Sequence, residues 1–330
     1  MKRRNFLAVT TAGAAAALSG CGEEKGGGAT KKAADVEAKG EPGAEKPVPT
    51  EDPEPAYPVR VNDKFGYMDV NAKVVIEPQF ELAMRFSEGL APVQDKTKRW
   101  GYIDKKGNYA IKPRFESVEP FYEGLAVASE GPDKTGFIDK QGNWAIEPKW
   151  AAALSFRDGI AMVVKGQKVM DQRIHTFGYI DKSGKMLIEP TLADAGPFGD
   201  GLAPVRYMGE YYSFIDIKAK KVIPPKYDRA GEFSEGVAPV KFGNARWGFI
   251  DKTGKWAIEP KFGDARAFKE GLAPALDLSN KWGYVDKAGN FVIPPKYTEA
   301  MQFLNGLAQV LVDDKIGYIN RKGQYVWLPR

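Results

Sequence analysis

Glycine returns at a nearly constant interval through most of this 330-residue chain: Gly66, Gly101, Gly136, Gly178, Gly248, Gly283 and Gly317, with Ser213 in the one slot left over. The steps are 35, 35, 42, 35, 35, 35 and 34 residues. Three residues after each comes an acid or its amide (Asp69, Asp104, Asp139, Asp181, Asp216, Asp251, Asp286, Asn320), and a proline closes the run that follows, from Pro78 to Pro329. Between units a phenylalanine stands three residues before a second glycine, seven times from Phe86/Gly89 to Phe303/Gly306. A period of this length dictates a solenoid, a propeller or another stacked array.

Each unit can be built from local chemistry. Asp251-Lys252-Thr253-Gly254 lies between two runs rich in aromatic and β-branched residues. That is a hairpin signal, with Asp capping the turn and Gly taking the positive φ. Upstream, Val237 to Lys241 supplies a further strand. The proline is expected to end the ladder and turn the chain away. The unit is therefore a three-stranded antiparallel meander, with room for a short fourth edge strand. Trp247 and Phe249 point one way, Gly248 and Ile250 the other, so both faces are apolar and each sheet must lie against its neighbours. Gly248 is expected to admit a bulky side chain from the adjoining sheet. The first unit (59–78) and the last (307–329) are ordinary members rather than polar caps. This favours an all-β protein of eight meanders closed into a propeller-like toroid, with an open β-solenoid as the alternative.

The stretch 247–262, Trp-Gly-Phe-Ile-Asp-Lys-Thr-Gly-Lys-Trp-Ala-Ile-Glu-Pro-Lys-Phe, and its copies resemble the bacterial WG-repeat family, also called KWG repeats. The resemblance covers residues 59–330 and implies architecture more than activity, since the family is treated chiefly as an interaction module. Ser213 departs from it at the signature glycine, and Ala72 and Ala219 at the turn glycine.

Residues 1–20 carry a basic start (Lys2, Arg3, Arg4), a short apolar run and a small-residue stop, the layout of a signal peptide. Leu18-Ser19-Gly20-Cys21 resembles the bacterial lipobox, which implies cleavage before Cys21 and its lipidation. Arg3-Arg4-Asn5-Phe6-Leu7 resembles the twin-arginine export motif, an ordinary secretory signal being the alternative. Residues 21–58 would then form a lipidated, disordered tether, with almost no large apolar side chains before Tyr57. The resemblances imply an extracytoplasmic, lipid-anchored protein of the bacterial cell envelope, periplasmic or on the cell surface.

Composition removes most catalytic classes. One Cys and one His leave no two-cysteine redox or zinc motif and no two-histidine site. No P-loop occurs, and residues 59–330 carry a net charge of only +6, too diffuse for nucleic acid. The repeated Asp reads as a turn cap rather than a calcium ligand. Glu88, Glu123, Asp158, Asp200, Glu235 and Glu270 recur in step, and a residue repeated in most units has a structural reason. We therefore expect no cofactor, no metal and no enzyme.

Where the repeats disagree is more informative. The hairpin over residues 165–176, from Lys165 to Thr176, is seven residues longer than its equivalents and holds the lone His175. Insertions in arrays map to loops on one face, often the binding face. Tyr207, Tyr211 and Tyr212 crowd the next unit, where they either stack on a partner or pack around the missing glycine. The expected function is a non-catalytic binding scaffold for a protein or envelope polymer. The alternatives are a purely structural envelope spacer and an envelope glycan hydrolase.

Overall fold

A computed structural model describes residues 57–169, 172–243 and 246–328. Arg3, Arg4, Cys21 and Pro329 lie outside the described residues. The described residues form no helix and eight small antiparallel sheets, each built from consecutive strands. The sheets are the blades of an eight-bladed β-propeller, numbered here from the N-terminal end. Blade 1 has three strands (Tyr57–Val61, Lys64–Met68, Val74–Phe80), and the other seven have four. In blade 2 these are an inner strand Leu82–Ala83, a second strand Ala91–Gln94, a third strand Trp100–Ile103 and an outer strand Tyr109–Phe115. The three-stranded unit is thus corrected by one strand in seven blades. The extra strand is only two residues long and comes from the connector, too short to leave a strand pattern.

The second and third strands are buried on both faces, as in Trp100–Ile103 and Thr135–Ile138, and each apolar cluster lies between two consecutive blades. The connector phenylalanine is the clasp. Phe121 meets Tyr102 of the blade before, Phe156 meets Phe137 and Phe233 meets Phe214, with ring centroids 4.7–4.9 Å apart. Such inclined pairs add to plain area burial.

The ring closes by the same means. Tyr57 of blade 1 packs on Tyr318 of blade 8 at 5.4 Å. The Tyr318 hydroxyl donates to the Pro58 carbonyl at 2.8 Å, and the Tyr57 hydroxyl to the Asn305 carbonyl at 2.8 Å. Val59, Met68, Leu307 and Trp327 complete that core. Among the described residues no strand crosses between blades, so closure rests on packed faces, and the open solenoid is excluded.

The proline does not end the outer strand. Trp256–Phe262 runs through Pro260, because the partners step from Ile258 opposite Phe249 to Phe262 opposite Trp247, leaving a two-residue bulge. A bulge is where a strand tolerates proline. It also explains the signature glycine differently from the expectation. A Cβ on Gly248 would sit 2.6 Å from the Ile258 carbonyl oxygen and 2.8 Å from the Pro260 nitrogen. The group that needs room is the bulged backbone of its own sheet, not a neighbouring side chain.

Turn chemistry follows expectation. The Asp251 carboxylate accepts the backbone N–H of Thr253 at 2.8 Å and of Lys255 at 3.1 Å, and Gly254 has φ +82°. Ala72 (φ 63°) and Ala219 (φ 60°) are forced into the same left-handed region. That conformation costs an L-residue about 1–2 kcal/mol, part of which glycine returns as unfolded-chain entropy. Ala72→Gly and Ala219→Gly are each expected to stabilise the fold by about 0.5–1 kcal/mol in chemical denaturation.

Candidate functional site

The meander sends its turns to two faces. The turns joining inner to second strand and third to outer strand share one face, here the latch face. The hairpins joining second to third strand share the other, the arm face.

On the latch face the repeated carboxylates each reach into the next blade. The N–H of Gly124 donates to Glu88 at 3.1 Å, that of Gly159 to Glu123 at 3.1 Å, that of Gly236 to Asp200 at 2.7 Å and that of Gly306 to Glu270 at 3.0 Å. The acids themselves sit at positive φ, for example Glu88 at 52°. Turn lysines of the same neighbouring blade join them: Lys140 on Glu88 at 3.2 Å, Lys182 on Glu123 at 2.9 Å and Lys287 on Glu235 at 3.3 Å. These are structural latches, as the repetition implied. Ile217 takes the lysine position facing Asp158, and Asn305 replaces the acid at the closing blade.

Within the ring of latches, residues flanking the clasp phenylalanines of blades 3 to 7 converge. They enclose a space of about 230 Å³, lined by Tyr122, Arg157, Glu232, Ser234 and Lys269 together with latch residues. Sequence reasoning missed this site. The available signal was variation at the two positions beside an invariant phenylalanine, as in Glu232-Phe233-Ser234 against Ala267-Phe268-Lys269.

Burial pushes the Glu119 carboxyl up to about 7. It also raises that of Glu232, against the pull of Arg157 and Lys269. Turn aspartates go the other way: a hydrogen bond from the Thr253 hydroxyl holds Asp251 below the usual range, and one from Ser279 does so for Asp277. The signs give opposite windows. The lowered aspartates add stability that is lost as pH falls below about 4. Glu119, raised, adds stability that is lost as pH climbs from about 4.5 to 7. Glu119→Gln is therefore expected to raise Tm at pH 8 and to leave it unchanged at pH 4, read by scanning calorimetry.

On the arm face the predicted insertion is a two-stranded arm, Ile160–Val169 paired with Gln172–Asp181. Lys165 is exposed opposite Thr176, and His175 is half-buried opposite Gly166. An ion pair from Arg173 to Asp133 ties the arm to blade 3. The tyrosines are on blade 5, the other side, and they divide. Tyr211 is 58% exposed. Tyr207 is half-buried under the Lys221 ammonium, 4.5 Å from its ring. Tyr212 is a core residue in the position Trp247 holds in blade 6, its hydroxyl donating to Asp194. Its place is thus the packing one of the two alternatives. Exposed apolar side chains the sequence reading passed over continue round this face: Ile174 on blade 4, Met208 on blade 5, Phe242 on blade 6 and Leu278 on blade 7. Among the described residues no group of three or more His, Cys, Asp or Glu side chains is placed to hold a metal.

A family model described as the WG containing repeat matches seven successive stretches, residues 65–97, 100–131, 136–168, 177–211, 212–244, 247–277 and 282–315. The chain belongs to the WG-repeat family. Each WG match begins at or near a third strand and runs through the second strand of the next blade, so the sequence unit bridges two sheets. Seven such units and eight blades are reconciled at the closure, where Lys315–Asn320 and Tyr325–Trp327 open a WG unit that Tyr57–Val61 completes. No curated relative matches the sequence. Among solved structures this WG propeller is similar to BamB from Moraxella catarrhalis, with 7% identity and TM-score 0.52 over 79% of this chain and 95% of that one. It is also similar to the computationally designed Ika8 protein, at 12% identity and TM-score 0.50 over 74% and 84%. A eukaryotic initiation factor follows at 9% and 0.51 over 83% and 95%. At these identities the likeness concerns the fold.

Proposed function

We propose that this WG propeller is a non-catalytic binding scaffold, exported and lipid-anchored at Cys21, whose arm face over blades 4 to 7 engages a protein or envelope polymer. The observation that carries the reading is the concentration of irregularity there. Seven blades share one four-stranded construction, yet on the arm face the single long arm and the exposed Ile174, Met208, Tyr211, Phe242 and Leu278 fall on four consecutive blades. Exposed apolar side chains gathered on one face mark contact surfaces. Lys165, Lys241 and Arg246 lie among them and favour an acidic partner. The signal-peptide layout, lipobox and tether of residues 1–58 support export and anchoring. Most of the recurrent carboxylates are engaged by glycine amides and turn lysines, which supports a structural rather than a catalytic part for them.

Exchanging residues 165–176 for the five-residue loop of blade 2 (95–99) removes the arm and restores the common hairpin length. Loss of partner capture from envelope extract, with Tm unchanged within about 2 °C, is the expected result. Unchanged capture, scored by cross-linking and mass spectrometry, would return the protein to the role of a spacer. Mass-spectrometric detection of a diacylglyceryl group on Cys21, lost in Cys21→Ser, tests the anchor.

A further inference from the structure

The axial space on the latch face is a second candidate, independent of the arm face. Seven of the eight blade junctions build the same phenylalanine clasp, so packing alone does not require the flanking residues to differ. They do differ, and where they converge on the axis they bring opposite charges: Arg157 of blade 4 and Lys269 of blade 7 against Glu232 of blade 6. The Glu232 carboxyl is desolvated and feels both cations, yet neither closes to an ion pair with it. The latch acids around it differ, since Glu123, Asp158 and Asp200 each accept a glycine N–H. Arg157 is held with its guanidinium 5.1 Å from the Tyr122 ring centroid. The Ser155 hydroxyl, next to the blade 4 clasp, is buried without a hydrogen-bond partner.

Glu232, Arg157 and Lys269 are each half-buried, and partly desolvated charges held apart across a small space are better satisfied by a ligand that bridges them. A simple anion would satisfy Arg157 and Lys269 but face Glu232; a simple cation would do the reverse. We propose that this funnel binds a small zwitterion, a free α-amino acid, its carboxylate between Arg157 and Lys269 and its ammonium on Glu232. The space of about 230 Å³ suits a ligand of amino-acid size.

Titration calorimetry on the full chain tests this with the standard amino acids, and with acetate and methylammonium as single-charge controls. Saturable binding of at least one amino acid is expected, with negligible heat from either control. Glu232→Gln and Lys269→Met nearly keep side-chain size, and each should weaken that binding about tenfold or more. Their ligand-free Tm, measured alongside, shows that both fold. The proposal is overturned if no amino acid binds below about 10 mM, if acetate or methylammonium binds as tightly as the best amino acid, or if both variants keep full affinity. The chain with the shortened arm should bind amino acid normally, so failure here and failure at the arm face are separate results.

Discussion

Tyr57→Ala is expected to be the most damaging single truncation at the seam, lowering stability by about 3–5 kcal/mol, the usual cost of emptying a buried aromatic site. Tyr57 is 1% exposed and stands on Tyr318 where the other blade junctions have a connector phenylalanine. It also carries the hydroxyl that reaches the Asn305 carbonyl. A domain is stable by only about 5–15 kcal/mol, so the loss is a large fraction. Phe156→Ala, at an internal junction, should cost a similar amount, because the clasp is the same. The two differ in shape. With Phe156 gone the chain still tethers both blades, whereas with Tyr57 gone blades 1 and 8 have lost their main bond, and small-angle scattering should record a larger radius of gyration. Equal radii for the two variants would mean that the seam does not depend on Tyr57.

Gly248→Ala is expected to cost about 1–3 kcal/mol, the range for forcing a methyl group into a filled site. The obstruction is backbone, the Ile258 carbonyl and the Pro260 nitrogen, and neither can rotate away. Relief requires the outer strand to retreat, which weakens the Phe249–Ile258 pairing. Ser213 shows that one blade holds a side chain at this position with the same register, Phe214 still opposite Ile223: it is fully buried, with its hydroxyl 3.4 Å from the Val205 carbonyl. Ser213→Gly should therefore change stability by less than about 1 kcal/mol. A Gly248→Ala protein as stable as the parent, by denaturant titration, would show that the bulge is softer than its contacts imply.

Much of this architecture is legible in the chain because a repeated unit states its constraints many times. The hairpin turn, the apolar strands and the clasp phenylalanines were readable from spacing, and ring closure from the absence of polar end units. The role of the signature glycine was not. A proline read alone ends a strand, and only the register shows that the ladder resumes at Phe262 after a bulge. The inner strand was hidden by its two-residue length. Of the binding candidates, the arm was visible as an insertion. Its tie to blade 3 is made by Arg173 and Asp133, forty residues apart, which no local pattern connects. Tyr212 looked like its neighbour Tyr211, but Tyr212 opens a strand buried on both faces, whereas Tyr211 lies in the hairpin just before it. The axial charges escaped because each is single in its own unit and acquires meaning only when the ring brings them face to face.

Because each sheet is folded from one uninterrupted stretch and grips the next only through side chains and turn amides, the molecule has no privileged starting point. Duplicating or deleting one unit would leave every remaining sheet intact and alter just the circumference. A gene that gains or loses some thirty-five codons can thus resize the wheel in a single event, widening or narrowing its hub without redesigning any spoke.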